Sequence, residues 1–115
     1  MNQFIYNEHG VCENPILKTF KCLKNYEAQV NVAIVQNEMW SYSIAFKGQD
    51  QGWSQPLIYH AQYTVFNTKD EAYIAGVKLL LKQVTDNDYK NRYKAIIDML
   101  QDELSPVVQN QLSLF

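Results

Sequence analysis

The fold of this chain is decided by residues 40–46, WSYSIAF, where large apolar side chains alternate with small ones. Successive side chains of a strand point to opposite faces, so this stretch has one apolar face and one small face. Residues 30–34 alternate in the same way, and Asn37-Glu38 between the two stretches is expected to form a tight turn. Together they predict an antiparallel hairpin with one buried face.

The segments around this hairpin add one strand and one short helix to the prediction. Asn14-Pro15 suits a helix start, with Asn as the N-cap and Pro at the first position, so a short N-terminal helix is expected to run to about Lys24. Residues 48–52, GQDQG, are polar and rich in turn formers, and they predict a loop. A third strand is expected between residues 57 and 66, with Tyr59, Ala61, Tyr63 and Val65 on one face.

Two helices are predicted in the second half of the chain. Thr68 and Glu71 have the spacing of a capping box, which predicts a helix to about Val84. Ala75-Gly76 within it leaves room for close approach to the sheet. An amphipathic stripe predicts a second helix that ends near Leu104, because Ser105-Pro106 disfavours its continuation. That stripe consists of Tyr89, Tyr93, Ile96, Ile97, Leu100 and Leu104.

The pattern as a whole predicts an α+β fold. Residues 1–104 are expected to form a single domain, in which a three-stranded antiparallel sheet is followed by two α-helices packed on one sheet face. The short N-terminal helix precedes the sheet. Residues 105–115 are expected to form a flexible, extended tail.

Composition restricts the classes of function. The chain has 115 residues, a charged fraction of 19% and a net charge of −2, which suit a globular domain. Nucleic-acid-binding domains usually carry a strong basic excess, so tight autonomous DNA binding is not expected. The first residues lack the basic and apolar regions of a signal peptide, no apolar run is long enough for a membrane span, and the chain has two cysteines. A reduced, cytoplasmic location is therefore expected.

The C-terminus carries the most specific signal in the sequence. Leu112, Leu114 and Phe115 are apolar although they lie at a chain end, where residues are usually frayed and polar. Such a peptide is expected to fill a groove, either on its own domain or on another protein.

The pentapeptide Gln111-Leu112-Ser113-Leu114-Phe115 resembles the sliding-clamp-binding motif of bacterial replication and repair proteins at all five positions. That motif reads Gln-Leu-(Ser or Asp)-Leu-Phe and occurs in polymerases, mismatch-repair proteins and clamp loaders. The resemblance implies a bacterial DNA polymerase sliding clamp as the partner. It covers five residues and carries no information about the domain.

The residue types suggest a role for each position. The amide of Gln111 suits a small polar subsite, Leu112 the mouth of the cleft, and Ser113 a solvent-facing position. Leu114 and Phe115 are the expected anchors in an apolar subsite. Each buried apolar side chain contributes about 1.5–3 kcal/mol before the cost of ordering the peptide.

Other chemistry is less well supported by the sequence. His9, Cys12, Cys22 and His60 are the only His and Cys residues, and they lack the two close pairs of a structural zinc site. No Gly-x-Ser-x-Gly elbow or phosphate-binding glycine loop is present, so no catalytic residue, metal or cofactor is expected. A weaker hypothesis places a nucleic-acid contact at Trp53, Lys78, Lys82, Lys90, Arg92 and Lys94. A related one makes the aromatic strand face a stacking surface, although burial beneath the helices is favoured.

The sequence therefore predicts a small, non-enzymatic accessory or modulator of DNA replication or repair that docks on the clamp. A compact domain of this kind would suit a phage, plasmid or integrated genetic element. Two alternatives stay open: a nucleic-acid-binding module tethered to the clamp, and an interaction domain whose tail packs on itself or on a homodimer partner.

Overall fold

An antiparallel sheet with two helices on one face forms the body of the protein. The computed structural model describes residues 3–22, 26–48, 51–60, 64–88 and 92–113, of which 106–113 by backbone alone. The predicted α+β class, with an antiparallel sheet followed by two helices, is confirmed. The elements are β1 (Ile16–Lys21), β2 (Glu27–Ile34), β3 (Trp40–Lys47), β4 (Gly52–Ser54), β5 (Val65–Phe66), α1 (Lys69–Asp86) and α2 (Lys94–Ser113).

The strands are ordered β1-β2-β3-β4, and the two-residue β5 pairs with the start of β3. The central hairpin of β2 and β3 is the predicted one, with Val30 opposite Ile44 and Val32 opposite Tyr42. Its turn contains Asn37 and Glu38, whose φ angles are 63° and 59°. Two positive φ values in succession match the right-handed twist of a hairpin. The turn therefore sets the register that the alternation requires.

The apolar face of the hairpin lies under the helices, as its pattern predicted. Helix α1 crosses β2 and β3, while α2 packs on α1 and reaches β1. Val30 and Ile44 are almost fully buried at the centre of this layer. The helices contribute the buried residues Ala72, Val77, Leu80, Val84, Ile96 and Leu100, and the buried Tyr93 lies directly before α2.

Gly76 marks the closest approach of α1 to the sheet. A Cβ at this position would lie 2.7 Å from Val30 Cγ1 and 3.2 Å from Tyr42 Cδ2. Both separations are shorter than ordinary van der Waals contact, so a side chain would force the helix away from the hairpin. The close helix–sheet approach predicted from Ala75-Gly76 is confirmed at Gly76.

Thr68 begins α1 as predicted, with one difference in detail. Its hydroxyl accepts a hydrogen bond from the amide of Glu71 at 3.1 Å, which satisfies one donor of the first turn. Glu71 does not reach back to the Thr68 amide as a full capping box would. Its carboxylate instead accepts the hydroxyl proton of Thr68, at 3.0 Å.

The predicted N-terminal helix is wrong, because Ile16–Lys21 forms the edge strand β1. Asn14 does not cap a helix. Its side-chain oxygen accepts from the amide of Ile5 at 2.7 Å, and its side-chain nitrogen donates to the carbonyl of Gln3 at 3.0 Å. Pairing with β2 buries Phe20 against the core, which a short isolated helix could not do.

The third strand was also predicted in the wrong place. Among the described residues of this range, Ile58 makes a single bridge to Val11, and the only strand is Val65–Phe66. Residues 61–63, with Ala61 and Tyr63, lie outside the described part. The strand that follows β3 in the sheet is β4, which begins inside the predicted loop at Gly52.

A second, smaller core covers one end of the other sheet face. The N-terminal segment folds back so that Cys12 donates its amide to the carbonyl of Leu57 at 2.8 Å. Cys12 and Leu57 pack there with Ala33 and Val35 of the hairpin. The rest of that face, beside β4, is not covered by this cluster.

The end of α2 differs from the expected extended tail. The helix continues past Leu104 to Ser113 and includes Pro106. A proline inside a helix removes one backbone hydrogen bond and costs about 3 kcal/mol. The hydroxyl of Ser105 donates to the carbonyl of Gln101 at 3.2 Å, a bond that is common for serine within a helix.

We expect Gly76→Ala to destabilise the protein by about 1–3 kcal/mol, since the added methyl would overlap Val30 and Tyr42. At an unhindered helix position the same change would stabilise by about 1 kcal/mol, so the sign of the effect is diagnostic. Urea unfolding measures it. The exposed Lys78→Ala on the same helix is the control, and a stabilising Gly76→Ala would contradict the close contact.

Candidate functional site

Helix α2 carries the clamp-binding-like peptide, and its first half is firmly anchored to the domain. Leu100 is fully buried, and Leu104 packs against the same core. The hydroxyl of Tyr73 on α1 donates to the carboxylate of Glu103 at 2.6 Å. These contacts fix α2 to α1 immediately before the C-terminal segment.

The hydrogen bond between Tyr73 and Glu103 lies in a partly buried position. Burial, followed by the bond to Glu103, raises the pKa of the Tyr73 hydroxyl well above its ordinary value of 10. The neutral phenol is therefore the form that the folded protein favours, because it can donate to the carboxylate.

The pentapeptide itself is described only in part. Gln111, Leu112 and Ser113 belong to the backbone of α2, while Leu114 and Phe115 lie outside the described residues. From Leu104 to Ser113 the helix would rise about 14 Å, at 1.5 Å per residue.

Two of the five basic residues suggested for nucleic-acid contact pair with acids on the same helix. Lys82 pairs with Asp86 at 2.7 Å, and Lys94 pairs with Asp98 at 3.3 Å. Both pairs are exposed i,i+4 contacts within a helix, which add little stability but neutralise the local charge. Lys78 and Arg92 are exposed, and Lys90 lies outside the described residues.

Trp53, one of the residues suggested for nucleic-acid contact, lies in a strand and is only partly exposed. It lies on β4 opposite Phe46 in the register, and the two ring centroids are 5.8 Å apart. Its side chain is partly buried against the main core. Trp53 therefore closes one edge of the core and offers only part of its surface to a ligand.

The aromatic strand face is not a stacking surface. Phe46 is 4% exposed, and Trp40 and Tyr42 pack against the same core beneath the helices. Tyr59 has a large exposed fraction, but it lies outside the sheet, in the turn that carries His60.

The four residues weighed as zinc ligands do not form a cluster. Among the described residues, no group of three or more His, Cys, Asp or Glu side chains is arranged to hold a metal ion. Cys12 is buried in the smaller core, and His9 is exposed beside Glu8. The side chain of His60 instead lies 3.4 Å from Gln36.

An open depression of about 340 Å³ (the cavity) lies on the sheet, and sequence reasoning did not find it. It sits over the ends of β2, β3 and β4, where one strand face carries small and polar residues in register. A polar alternation in β2 was the available signal, but the small residues opposite it carry no recognisable motif. The cavity is lined by Glu27, Gln29, Ala45, Lys47, Gly52 and Ser54, among others.

Hydrogen bonds between side chains order one wall of this cavity. The amide of Gln29 donates to Asn31 at 2.6 Å, and Asn31 donates to the hydroxyl of Ser43 at 3.0 Å. Asn31 and Ser43 are buried, so this network fixes the amide plane of Gln29 at the cavity wall.

No protein family, curated protein or solved structure matches this chain. Within the described residues, neither helix combines the length and the hydrophobicity that crossing a bilayer requires.

We expect Tyr73→Phe to lower the free energy of unfolding by about 0.5–1.5 kcal/mol at neutral pH, because it removes the bond to Glu103. Because the pKa of the Tyr73 hydroxyl is raised in the folded protein, its contribution to the free energy of unfolding depends on pH. The contribution of Tyr73 is complete below pH about 10, the pKa of an unfolded tyrosine, and is lost as the pH rises above it. Urea unfolding should therefore show a constant difference in unfolding free energy between wild type and Tyr73→Phe below pH about 10, and a narrowing difference above it.

Asp102→Asn, which changes a neighbouring exposed acid on α2, is the control. In a protein that carries Asp102→Asn, the effect of Tyr73→Phe on the free energy of unfolding should be the same as in the wild type. A difference that stays constant across the alkaline range would contradict a neutral Tyr73 donor.

Proposed function

We propose that this protein is a non-enzymatic accessory or modulator of DNA replication or repair that docks on a bacterial sliding clamp through its C-terminal peptide. The single observation that carries the proposal is the match of Gln111-Leu112-Ser113-Leu114-Phe115 to the clamp-binding motif at all five positions. In this proposal the peptide binds the clamp, and the domain is either recruited to the clamp or blocks access of other proteins to it.

The position of the peptide supports this proposal. Among the side chains that the structure describes, the last contacts of α2 with the core are those of Glu103 and Leu104, and the motif begins at Gln111. Pro106 weakens the helix between the two parts. A peptide joined to the domain in this way can enter a cleft without unfolding the core.

The expected affinity suits a shared docking site. Burial of Leu112, Leu114 and Phe115 would contribute roughly 5–8 kcal/mol in total, at about 1.5–3 kcal/mol each, and ordering the peptide offsets part of the gain. We therefore expect a dissociation constant in the micromolar range, which corresponds to a binding free energy of about −8 kcal/mol at the strongest. Contacts of this strength exchange rapidly, as a clamp that serves several clients requires.

The tethered nucleic-acid module receives less support. Lys82 and Lys94 are each paired with a carboxylate, and the aromatic strand face is buried. The net charge of −2 adds no general attraction to a phosphate backbone.

The direct test is binding of the purified protein to a bacterial sliding clamp by isothermal titration calorimetry. We expect the double variant Leu114→Ala, Phe115→Ala to weaken binding by at least about 100-fold, because both apolar anchors are removed. Gln109→Ala and Asn110→Ala, directly before the motif, are matched controls and should change affinity by less than about threefold.

Two results would contradict the proposal. One is that wild type and the double variant bind the clamp equally. The other is that the double variant loses several degrees of melting temperature, because the peptide would then belong to the domain's own core.

A further inference from the structure

We propose that the cavity beside β4 binds a free α-amino acid, with Glu27 contacting its ammonium group and Lys47 its carboxylate. The proposal is independent of the C-terminal peptide. It rests on charge placement, on the shape of the cavity and on the polar groups along its wall.

Glu27 and Lys47 are directly opposite each other in the β2–β3 register, so both side chains leave the same face of the sheet. They do not pair with each other. The carboxylate of Glu27 instead lies 3.8 Å from Lys21 on the adjacent strand, in a pair whose Lys side chain is 71% exposed. Such an exposed pair contributes about 0–1 kcal/mol, so a ligand ammonium can replace Lys21 at little cost.

Lys47 has no carboxylate within salt-bridge distance among the residues that the structure describes. Its ammonium is exposed at the rim of the cavity. An acid and a base therefore lie side by side at one cavity, and neither is neutralised by the other.

The cavity forms between larger side chains because the residues at its floor are small. Ala45 and Gly52 line it, and a Cβ at Gly52 would lie 3.3 Å from the carbonyl oxygen of Phe46. Gln29 and Ser54 provide an amide and a hydroxyl at the wall, which can hydrogen-bond a polar ligand. The volume of about 340 Å³ lies at the lower end of the range for small-molecule sites.

Charge complementarity selects a zwitterion over a simple ion. A ligand that carries only an anionic group would face the Glu27 carboxylate, and one that carries only a cation would face Lys47 and Lys21. An α-amino acid has both charges on substituents of one carbon. Directly opposite cross-strand residues have Cβ atoms about 4.5–5.5 Å apart, so one such ligand can contact both Glu27 and Lys47.

The test is a titration of the ¹⁵N-labelled full chain with glycine, L-serine, L-glutamine and L-leucine, to about 50 mM so that millimolar binding is detected. We expect saturable shifts of the backbone amides of Gln29, Ala45 and Ser54 with at least one of these probes. The N-acetyl and carboxamide derivatives of the same amino acid, which each lack one charge, should produce shifts that do not saturate.

Glu27→Gln and Lys47→Gln should each weaken binding by about tenfold or more, since each leaves one ligand charge without its partner. Lys18→Gln is the matched control. Lys18 lies on the opposite face of the sheet, with its ammonium 5.8 Å from the Phe20 ring, and its loss should leave the affinity unchanged.

Three results would overturn the proposal: no saturable shift with any of the four amino acids, unchanged affinity in both charge variants, or equal binding of acetate alone. The spectrum of each variant in the absence of ligand reports whether it is folded, so loss of binding can be separated from loss of structure.

Discussion

The contact of α1 with the central hairpin is the constraint on which the rest of the structure depends. Gly76 lets the helix backbone approach Val30 and Tyr42 more closely than any side chain would allow. That approach buries the apolar face of β2 and β3, and it positions α1 so that α2 can pack against it and against β1. A longer separation would leave voids throughout this layer, which cores tolerate poorly.

The same packing divides the sheet into two faces with different uses. The large side chains of β3 are committed to the core, so the aromatic residues that looked suited to stacking have structural roles. The opposite face keeps Glu27, Gln29 and Lys47 around a cavity over small residues. Helix α2 is held on α1 by the bond between Tyr73 and Glu103, and its backbone continues into the C-terminal peptide.

The sequence predicts the structure of a segment correctly where the residues that determine it are close to one another in the chain. Residues 40–46 and the Thr68 cap were predicted correctly, because alternation and capping are properties of adjacent residues. Asn14 was misread, since its side chain bonds to Ile5 and Gln3, which no local pattern shows. The cavity was missed for the same reason: Glu27 and Lys47 meet only through strand pairing. The pentapeptide could be identified without knowledge of the fold, because the motif consists of five consecutive residues.

The central claim is that the last five residues, and not the domain, make the contact with a sliding clamp. A titration of ¹⁵N-labelled protein with an unlabelled bacterial clamp tests it most directly, because it reports every backbone amide at once. The account predicts that the amides of Gln111, Leu112, Ser113, Leu114 and Phe115 broaden first, while those of β2, β3 and α1 keep their chemical shifts. Shifts centred on the sheet or on α1, or no change at any clamp concentration, would contradict it.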